Sequence, residues 1–328
     1  MFRNTRILVT GGTGSWGYEL IRQLLPQNPN EIIVFSRNES TQVAMQRSFE
    51  DSRLSFCIGD IRDREALIRA CAGVDYIFHL AALKHVPVCE EQPYEALKTN
   101  VVGTQYVIEA AIENNVKKVI YISTDKAANP SNFYGMTKAI GEKLIVHANL
   151  LRTETKFVCV RGGNVLGTNG SVIHLFTKQI HEKSQISITD KGMTRFFLTL
   201  EDAITLLFKA SEESLGGEIF VMTMPTCKII DLADILIEAS GKSDVRIAET
   251  GTRPGEKIHE ILLTEFESQT TILYDEQYLV ILPTLDIPGL KEYYSAYPGA
   301  DITSFSSKDN LMEKDEIRAL LVKGGFLT

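Results

Sequence analysis

Along the first half of the chain, short apolar runs rich in β-branched residues alternate with longer stretches of helical spacing. The runs are Arg6–Thr10, Glu31–Ser36, Leu54–Gly59, Tyr76–Leu80, Lys118–Ser123 and Lys156–Arg161, of the length expected for strands buried on both faces. Gln92–Asn114 and Asn132–Leu151 lie between them and are too long for strands. This alternation predicts βαβ units: an α/β, doubly wound parallel sheet of five or six strands, with helices on both faces. After Arg161 the pattern breaks into Gly162-Gly163-Asn164-Val165-Leu166-Gly167-Thr168-Asn169-Gly170, and shorter mixed elements follow. The expected organisation is a first domain over 1–163, with a return of 194–214, and a smaller mixed lobe over 164–328. No Pro- or Ser-rich linker separates them, so the two share a cleft. The tail is rich in Tyr and Pro and ends with Leu311, Ile317, Leu320 and Leu321 at helical spacing, which predicts a docked terminal helix.

Composition narrows the class. Apolar residues are 44% and charged residues 23% of the 328, as in ordinary globular proteins. The net charge of −8 offers no broad footprint for nucleic acid. Five scattered cysteines without a C-x-x-C pair argue against a disulfide framework or a zinc site, and no metal is expected. The start of the chain lacks a signal-peptide pattern and no apolar run approaches the roughly 20 residues of a membrane span, so a cytoplasmic protein without membrane contact is expected.

The first run leads into Gly11-Gly12-Thr13-Gly14-Ser15-Trp16-Gly17 and then a helical pattern. Gly11, Gly14 and Gly17 are spaced for a tight turn, close approach to a pyrophosphate and helix-to-strand packing, with the phosphate on the helix N-terminus. That context favours a Rossmann domain that binds a dinucleotide over a tight turn of purely structural purpose. Its ribose would meet the end of the second strand, Ser36-Arg37. Glu31 is at the wrong end of that strand, about 17 Å from Ser36, so NADP is favoured over NAD. The alternative for Arg37 is a solvated surface residue. Asp60, after the third strand, is placed near the adenine, while Asp63 reads equally well as a helix N-cap.

The fifth strand ends Ser123-Thr124-Asp125-Lys126, and a helix opens with Tyr134-Gly135-Met136-Thr137-Lys138. Tyr134 and Lys138 fall on one helical face. Lys138, together with an oxidised nicotinamide, can lower the phenol pKa from near 10 so that Tyr134 serves as base on a substrate hydroxyl. Removing water from the same substrate needs a further acid and base. Adjacent Asp125 and Lys126 supply two interacting titratable groups; the alternative is a solvated ion pair at a strand end.

These motifs resemble the extended short-chain dehydrogenase/reductases, and within them the UDP-N-acetylglucosamine 4,6-dehydratases of amino-sugar biosynthesis. Ala81-Ala82-Leu83-Lys84-His85, Met193-Thr194-Arg195-Phe196 and Arg253-Pro254-Gly255-Glu256-Lys257 fit the same group. The resemblance implies a tightly bound NADP held by Gly11, Thr13, Gly14, Ser15, Trp16, Gly17, Ser36, Arg37, Asp60, Ile61, Ala81, Ala82, Tyr134 and Lys138. It implies UDP-N-acetylglucosamine as substrate, with Thr124 orienting the 4-OH, Lys126 taking the C5 proton and Asp125 protonating the 6-OH. Arg195 and Arg253 would hold the diphosphate or ribose, Glu256 the uridine ribose, and Asn164 the diphosphate or sugar. Lys84 and His85 would face the cleft, although His85 reads equally well as a structural histidine. The group commonly has Tyr where this chain has Gly163 or its neighbour. It also implies a homo-oligomer built on dimers, with hexamers among the group's assemblies. A 4-epimerase or 4-reductase on the same fold, and a non-catalytic NADP-binding sensor, are the alternatives.

Overall fold

The computed structural model describes residues 1–328 except Arg152, Asn169 and Thr328. Six strands occupy the predicted runs: β1 (Arg6–Thr10), β2 (Glu31–Ser36), β3 (Leu54–Ile58), β4 (Tyr76–His79), β5 (Lys118–Thr124) and β6 (Lys156–Gly162). They pair in parallel in the order β3-β2-β1-β4-β5-β6, so the strand order reverses between β1 and β4. In doubly wound sheets that reversal opens a crevice for ligands beyond the carboxyl ends of the strands. The apolar runs of β1, β2 and β4 to β6 are almost wholly buried because helices cover both faces.

The sheet does not end at β6. Ile219–Met222 adds a seventh parallel strand, and Tyr278–Ile281 and Thr271–Leu273 extend it with two antiparallel ones. The helix Leu200–Glu213 returns to the sheet and packs on β5, β6 and Ile219–Met222. The remaining segments form a second apolar cluster. Ile173, Phe176 and Ile180 of one helix and Leu232, Ile235 and Leu236 of another meet Ile186 and Ile188 of a short strand. The terminal helix, Lys314–Lys323, docks there through Ile317 and Leu321, both 1% exposed, whereas Leu311 precedes it.

Asn132 caps the helix Phe133–Ala148 by accepting from the Gly135 N–H at 2.9 Å, which places Tyr134 in its first turn. The predicted helix over Gln92–Asn114 is instead two α-helices joined by a π-turn at Lys98–Val102. That extra width turns Asn100 inward, where its side chain bonds to both backbone groups of Leu83.

At the end of β6, Arg161 is 1% exposed and binds Glu142 of the Tyr134 helix at 2.6 Å, Glu267 at 2.9 Å and the Leu262 carbonyl at 2.8 Å. The guanidinium thereby joins the sheet to the second lobe. Breaking one side of a buried pair strands the other charges at a cost of about 3–5 kcal/mol. Arg161→Leu is therefore expected to destabilise the fold by about that amount, read as a lowered urea-unfolding midpoint; an unchanged midpoint would refute the tie.

Candidate active site

The crevice at the β1/β4 reversal holds three adjoining cavities of about 450, 200 and 250 Å³. The largest lies between the glycine turn and Tyr134, with Gly14, Trp16, Ala82, Thr124 and Lys138 among its walls. The smallest continues past Gly11 and Thr13 to Ser36, Arg37, Asp60 and Ile61. The third opens from Lys84, His85, Thr124 and Tyr134 toward Lys126 and Asn164.

Each glycine of the turn has its own reason. Gly11 has φ +68°, and a Cβ there would lie 2.8 Å from the Ala81 Cα, so only glycine suits both the conformation and the close approach. A Cβ on Gly17 would lie 2.2 Å from the Gly12 carbonyl oxygen. Gly14 is the N-cap of the helix Ser15–Leu24, whose first turn carries neither a side-chain cap nor an acidic residue. The positive end of this helix is not neutralised by the protein's own carboxylates, as a phosphate site requires. The shape and polarity of these residues thus fit a dinucleotide. At its far end, Arg37 is 58% exposed and 4.0 Å from Asp60, which is paired with Arg62 at 2.5 Å. Asp63 caps its helix, accepting from the Ala66 N–H at 3.0 Å.

A buried polar chain positions the elements on either side. The Thr10 hydroxyl and His79 Nδ1 are 2.7 Å apart, and His79 Nε2 is 3.1 Å from Thr104 Oγ1. Thr104 donates to the Asn100 carbonyl at 2.7 Å, so it must accept from a protonated Nε2, leaving Nδ1 to accept from Thr10. Asn100 then donates to Thr137 at 2.9 Å, and Thr137 to the Tyr134 carbonyl at 2.7 Å. Burial, and then the Lys138 charge, push His79 down to about 3, consistent with that neutral tautomer.

Around the reacting position, Thr124 donates to Asp125 Oδ1 at 2.8 Å, and Lys126 Nζ lies 3.0 Å from the same oxygen. Asp125 is only 1% exposed. Thr124 and Lys126 line the cavity and the carboxylate sits behind them, so the solvated surface pair is not what forms. Burial lowers the proton affinity of Lys126, but Asp125 and Glu260 more than offset it and the net shift is upward. Burial pushes Tyr134 up to about 12, with Lys126 acting in the opposite direction. The protein's own groups therefore do not make Tyr134 a base near neutrality. Lys138, brought down to about 7 chiefly by burial, lies with Nζ 3.9 Å from the centre of the Tyr121 ring.

Other expected residues are placed differently. Arg195 is buried, and its terminal N–H groups are taken by the carbonyls of Thr194, Lys257 and Ile258 at 2.7–3.0 Å. It holds the 257–260 loop and fronts none of the three cavities. Arg253 is exposed, and Glu256 accepts from its backbone N–H at 3.1 Å while facing Arg195 at 3.8 Å. Gly163, in place of the bulkier residue common in the resembling group, leaves room for Phe196, whose Cβ would be 2.6 Å from an added Cβ. Three residues not singled out from sequence also belong to the region. Ser123 and Thr99 each line a cavity and carry a buried hydroxyl without a partner among the described residues, and Glu260 sits beside Lys126. Ser123 was legible beside Thr124; the other two had no local signal.

The family model described as polysaccharide biosynthesis protein matches residues 7–282. The chain belongs to this family. An inverting UDP-N-acetylglucosamine 4,6-dehydratase of Campylobacter jejuni is 43% identical, over 87% of this chain and 85% of its own. A UDP-glucose 4-epimerase of Rickettsia prowazekii is also 43% identical, over 80% of this chain and 79% of its own. An uncharacterized membrane protein of Methanocaldococcus jannaschii is 39% identical, over 99% and 98%. No helix among the described residues of the present chain is long and apolar enough to cross a membrane. Among solved structures, Pen from Bacillus thuringiensis superposes with a TM-score of 0.93 at 38% identity, covering 100% of both chains. DesIV of Streptomyces venezuelae, a dTDP-glucose 4,6-dehydratase solved with NAD, superposes with a TM-score of 0.71 at 25% identity, over 77% of this chain and 86% of that one.

Proposed function

We propose that this nucleotide-sugar-modifying enzyme of the short-chain dehydrogenase/reductase fold dehydrates UDP-N-acetylglucosamine to a UDP-4-keto-6-deoxy-N-acetylhexosamine, using bound NADP. The observation that carries the reading is the Asp125–Lys126 pair, with Lys126 at the cavity wall beside Thr124 and Tyr134 and the carboxylate buried behind them. An epimerase needs a base and a hydride acceptor, whereas a dehydratase must also move a proton from C5 and another to the 6-OH. The Campylobacter relative supports it.

The glycine turn would hold the pyrophosphate, and Tyr134 and Lys138 the nicotinamide ribose. The chemistry a bound dinucleotide would supply is reversible hydride storage between C4 and C6, with a positive ring that would bring Tyr134 toward a working pKa. Tyr134 takes the 4-OH proton, with Thr124 orienting that hydroxyl. The 4-ketone then acidifies C5–H. Lys126, charged in this environment, passes its proton to Asp125 across 3.0 Å, takes the C5 proton as a neutral amine, and gives a proton back to C5 once C6 has been reduced. The proton on Asp125 reaches the departing 6-OH through Thr124 or Lys126, since the carboxylate itself is behind them. Lys84, His85 and Asn164 line the sugar side.

Two further parts of the reading concern the cofactor and the assembly. Arg37 is the group suited to a 2′-phosphate. A dimer-based homo-oligomer is supported by exposed Met136 and Ile140, one turn apart on the Tyr134 helix, and by exposed Val88 and Tyr94 on helices packed against it.

The second reading is a 4-epimerase, favoured by the Rickettsia relative. Incubation with UDP-N-acetylglucosamine in D₂O without added cofactor is expected to yield a product one water lighter, with deuterium at C5, by mass spectrometry and proton NMR. Ring couplings then give the C5 configuration. A sugar that keeps its water, or is unchanged even with NADP⁺ supplied, would rule the dehydratase out. Arg37→Ala should weaken NADP binding by about tenfold and NAD binding little, the loss of one charge-assisted contact being worth about 1.5 kcal/mol; equal effects in titration calorimetry would remove the NADP assignment. Light scattering is expected to give an even multiple of the 36.6 kDa chain mass; a monomer at micromolar concentration would refute the assembly.

A further inference from the structure

Resting on the dehydratase reading, we propose that Glu260 is a positioning residue for water loss: its carboxylate shares the Lys126 ammonium with Asp125 and holds Nζ at the wall of the substrate cavity. Glu260 lies just before the strand Ile261–Leu263, with its side chain 4% exposed. Its Oε1 is 3.3 Å from Lys126 Nζ and 3.9 Å from Arg195 Nε. Lys126 is thus held between two carboxylate oxygens, one from the turn after β5 and one from the second lobe. A lysine on a flexible stem with a single partner can swing about it, whereas two partners on different elements fix the direction of the ammonium.

The carboxylate is itself built in. The Glu260 N–H donates to Ser307 Oγ at 2.9 Å, and its carbonyl accepts from the Ser307 N–H at 2.8 Å. Ser307 also donates to the Thr194 carbonyl at 3.2 Å, and Thr194 Oγ1 is 2.8 Å from His259 Nδ1. Ser307, from the C-terminal segment, therefore fixes the backbone that aims Glu260. Two buried oxygens, Asp125 Oδ2 and Glu260 Oε2, have no hydrogen-bond partner among the described residues. A buried carboxylate oxygen left in this way is costly, so both carboxylates depend on the contacts that Oδ1 and Oε1 make with Lys126.

The charges facing Lys126 are Asp125 from its own turn, Glu260 and Lys257 from the loop before Ile261–Leu263, Arg195 from the strand Thr194–Leu198, and the Tyr134 phenol from the helix Phe133–Ala148. Glu260 and Asp125 both face Lys126, while Arg195 also faces Glu256 at 3.8 Å. Removing the Glu260 charge leaves Lys126 with Asp125 as its carboxylate partner among the described residues. Lys126, whose proton affinity Glu260 helps to raise, then holds its proton less tightly, by about one to three units for an opposite charge at this range.

The test is Glu260→Gln in the full chain, with wild type and Glu260→Asp beside it, read as the pH profile of C5 deuterium exchange and water loss. The profile limb of Lys126 should move to lower pH in Glu260→Gln by about one to three units, the maximal rate of water loss should fall because Nζ is no longer held at the cavity wall, and Glu260→Asp should move both back toward wild type. Retained NADP affinity by titration calorimetry reports that the variants are folded. Superimposable profiles, or a defect that Glu260→Asp shares in full, would overturn the proposal. A wild-type protein that releases no water would instead overturn the dehydratase reading itself; Glu260 would then be judged by whether its substitution alters the pH dependence of any C4 chemistry observed, and no alteration would dispose of it too.

Discussion

The buried polar chain from Thr10 to the Tyr134 carbonyl is the constraint on which the site depends. Thr10 ends the strand that feeds the glycine turn, His79 ends the neighbouring strand across the reversal, and Thr104, Asn100 and Thr137 carry the chain to the helix bearing Tyr134. Every hydroxyl in it has one defined donor role and one acceptor role, so no rotor can turn without leaving a buried group unpaired, at about 1–3 kcal/mol. The distance between the phosphate turn and the phenol is thereby set by hydrogen bonds, which tolerate less slippage than apolar packing. The π-turn at Lys98–Val102 belongs to the same device, since it brings Asn100 inward to bind Leu83 in the loop that closes on Gly11.

A net negative chain has to place positive charge where an anionic sugar nucleotide would sit, and does so by gathering it in the crevice. Lys84, Lys126 and Lys138 all front cavities, and Lys257 and Arg195 lie just behind. Buried cations are costly unless paired, and the pairing differs from one to the next. Among the described residues Lys138 has no carboxylate in hydrogen-bond contact and rests on the Tyr121 ring, so burial prevails and its proton affinity falls to about 7. Lys126 has two carboxylates, and its affinity rises. Two lysines in one crevice are thus prepared for different protonation states by their second neighbours.

Most of the sheet was legible in the sequence because buried parallel strands announce themselves as uninterrupted apolar runs, and β1 to β6 begin where those runs begin. The last three strands were not. Tyr278–Ile281 is an apolar run of the right length, but its place beside Ile219–Met222 is a non-local pairing that no neighbouring residue encodes. The site divides in the same way. Gly11, Gly14, Gly17, Tyr134 and Lys138 have roles that follow from local geometry, and they line the crevice as expected. Arg195, Arg253 and Glu256 were expected at the substrate because their charges suit phosphate and ribose. Arg195 instead spends its N–H groups on three carbonyls, a use that depends on a loop more than 60 residues away, and Glu256 is committed to the turn at Arg253. Glu260 was missed for the complementary reason: its meaning comes entirely from Lys126, 134 positions earlier in the chain, and from Ser307.

The equal identity to a dehydratase and to an epimerase has a physical counterpart in the site. In the proposed reading the glycine turn, Tyr134 and Lys138 serve oxidation at C4, which both reactions require, so that half of the crevice does not separate them. Separation has to come from groups that act after the ketone forms. Those groups lie at the seam between the sheet and the second lobe: Asp125 and Lys126 from the end of β5, Glu260 from the loop that Arg195 and Ser307 hold. Because the seam is assembled from elements distant in sequence, it can change its charge while the oxidation machinery stays intact. In the proposed reading, the outcome after the ketone therefore rests on the two carboxylates that face one largely buried lysine at the seam between the sheet and the second lobe.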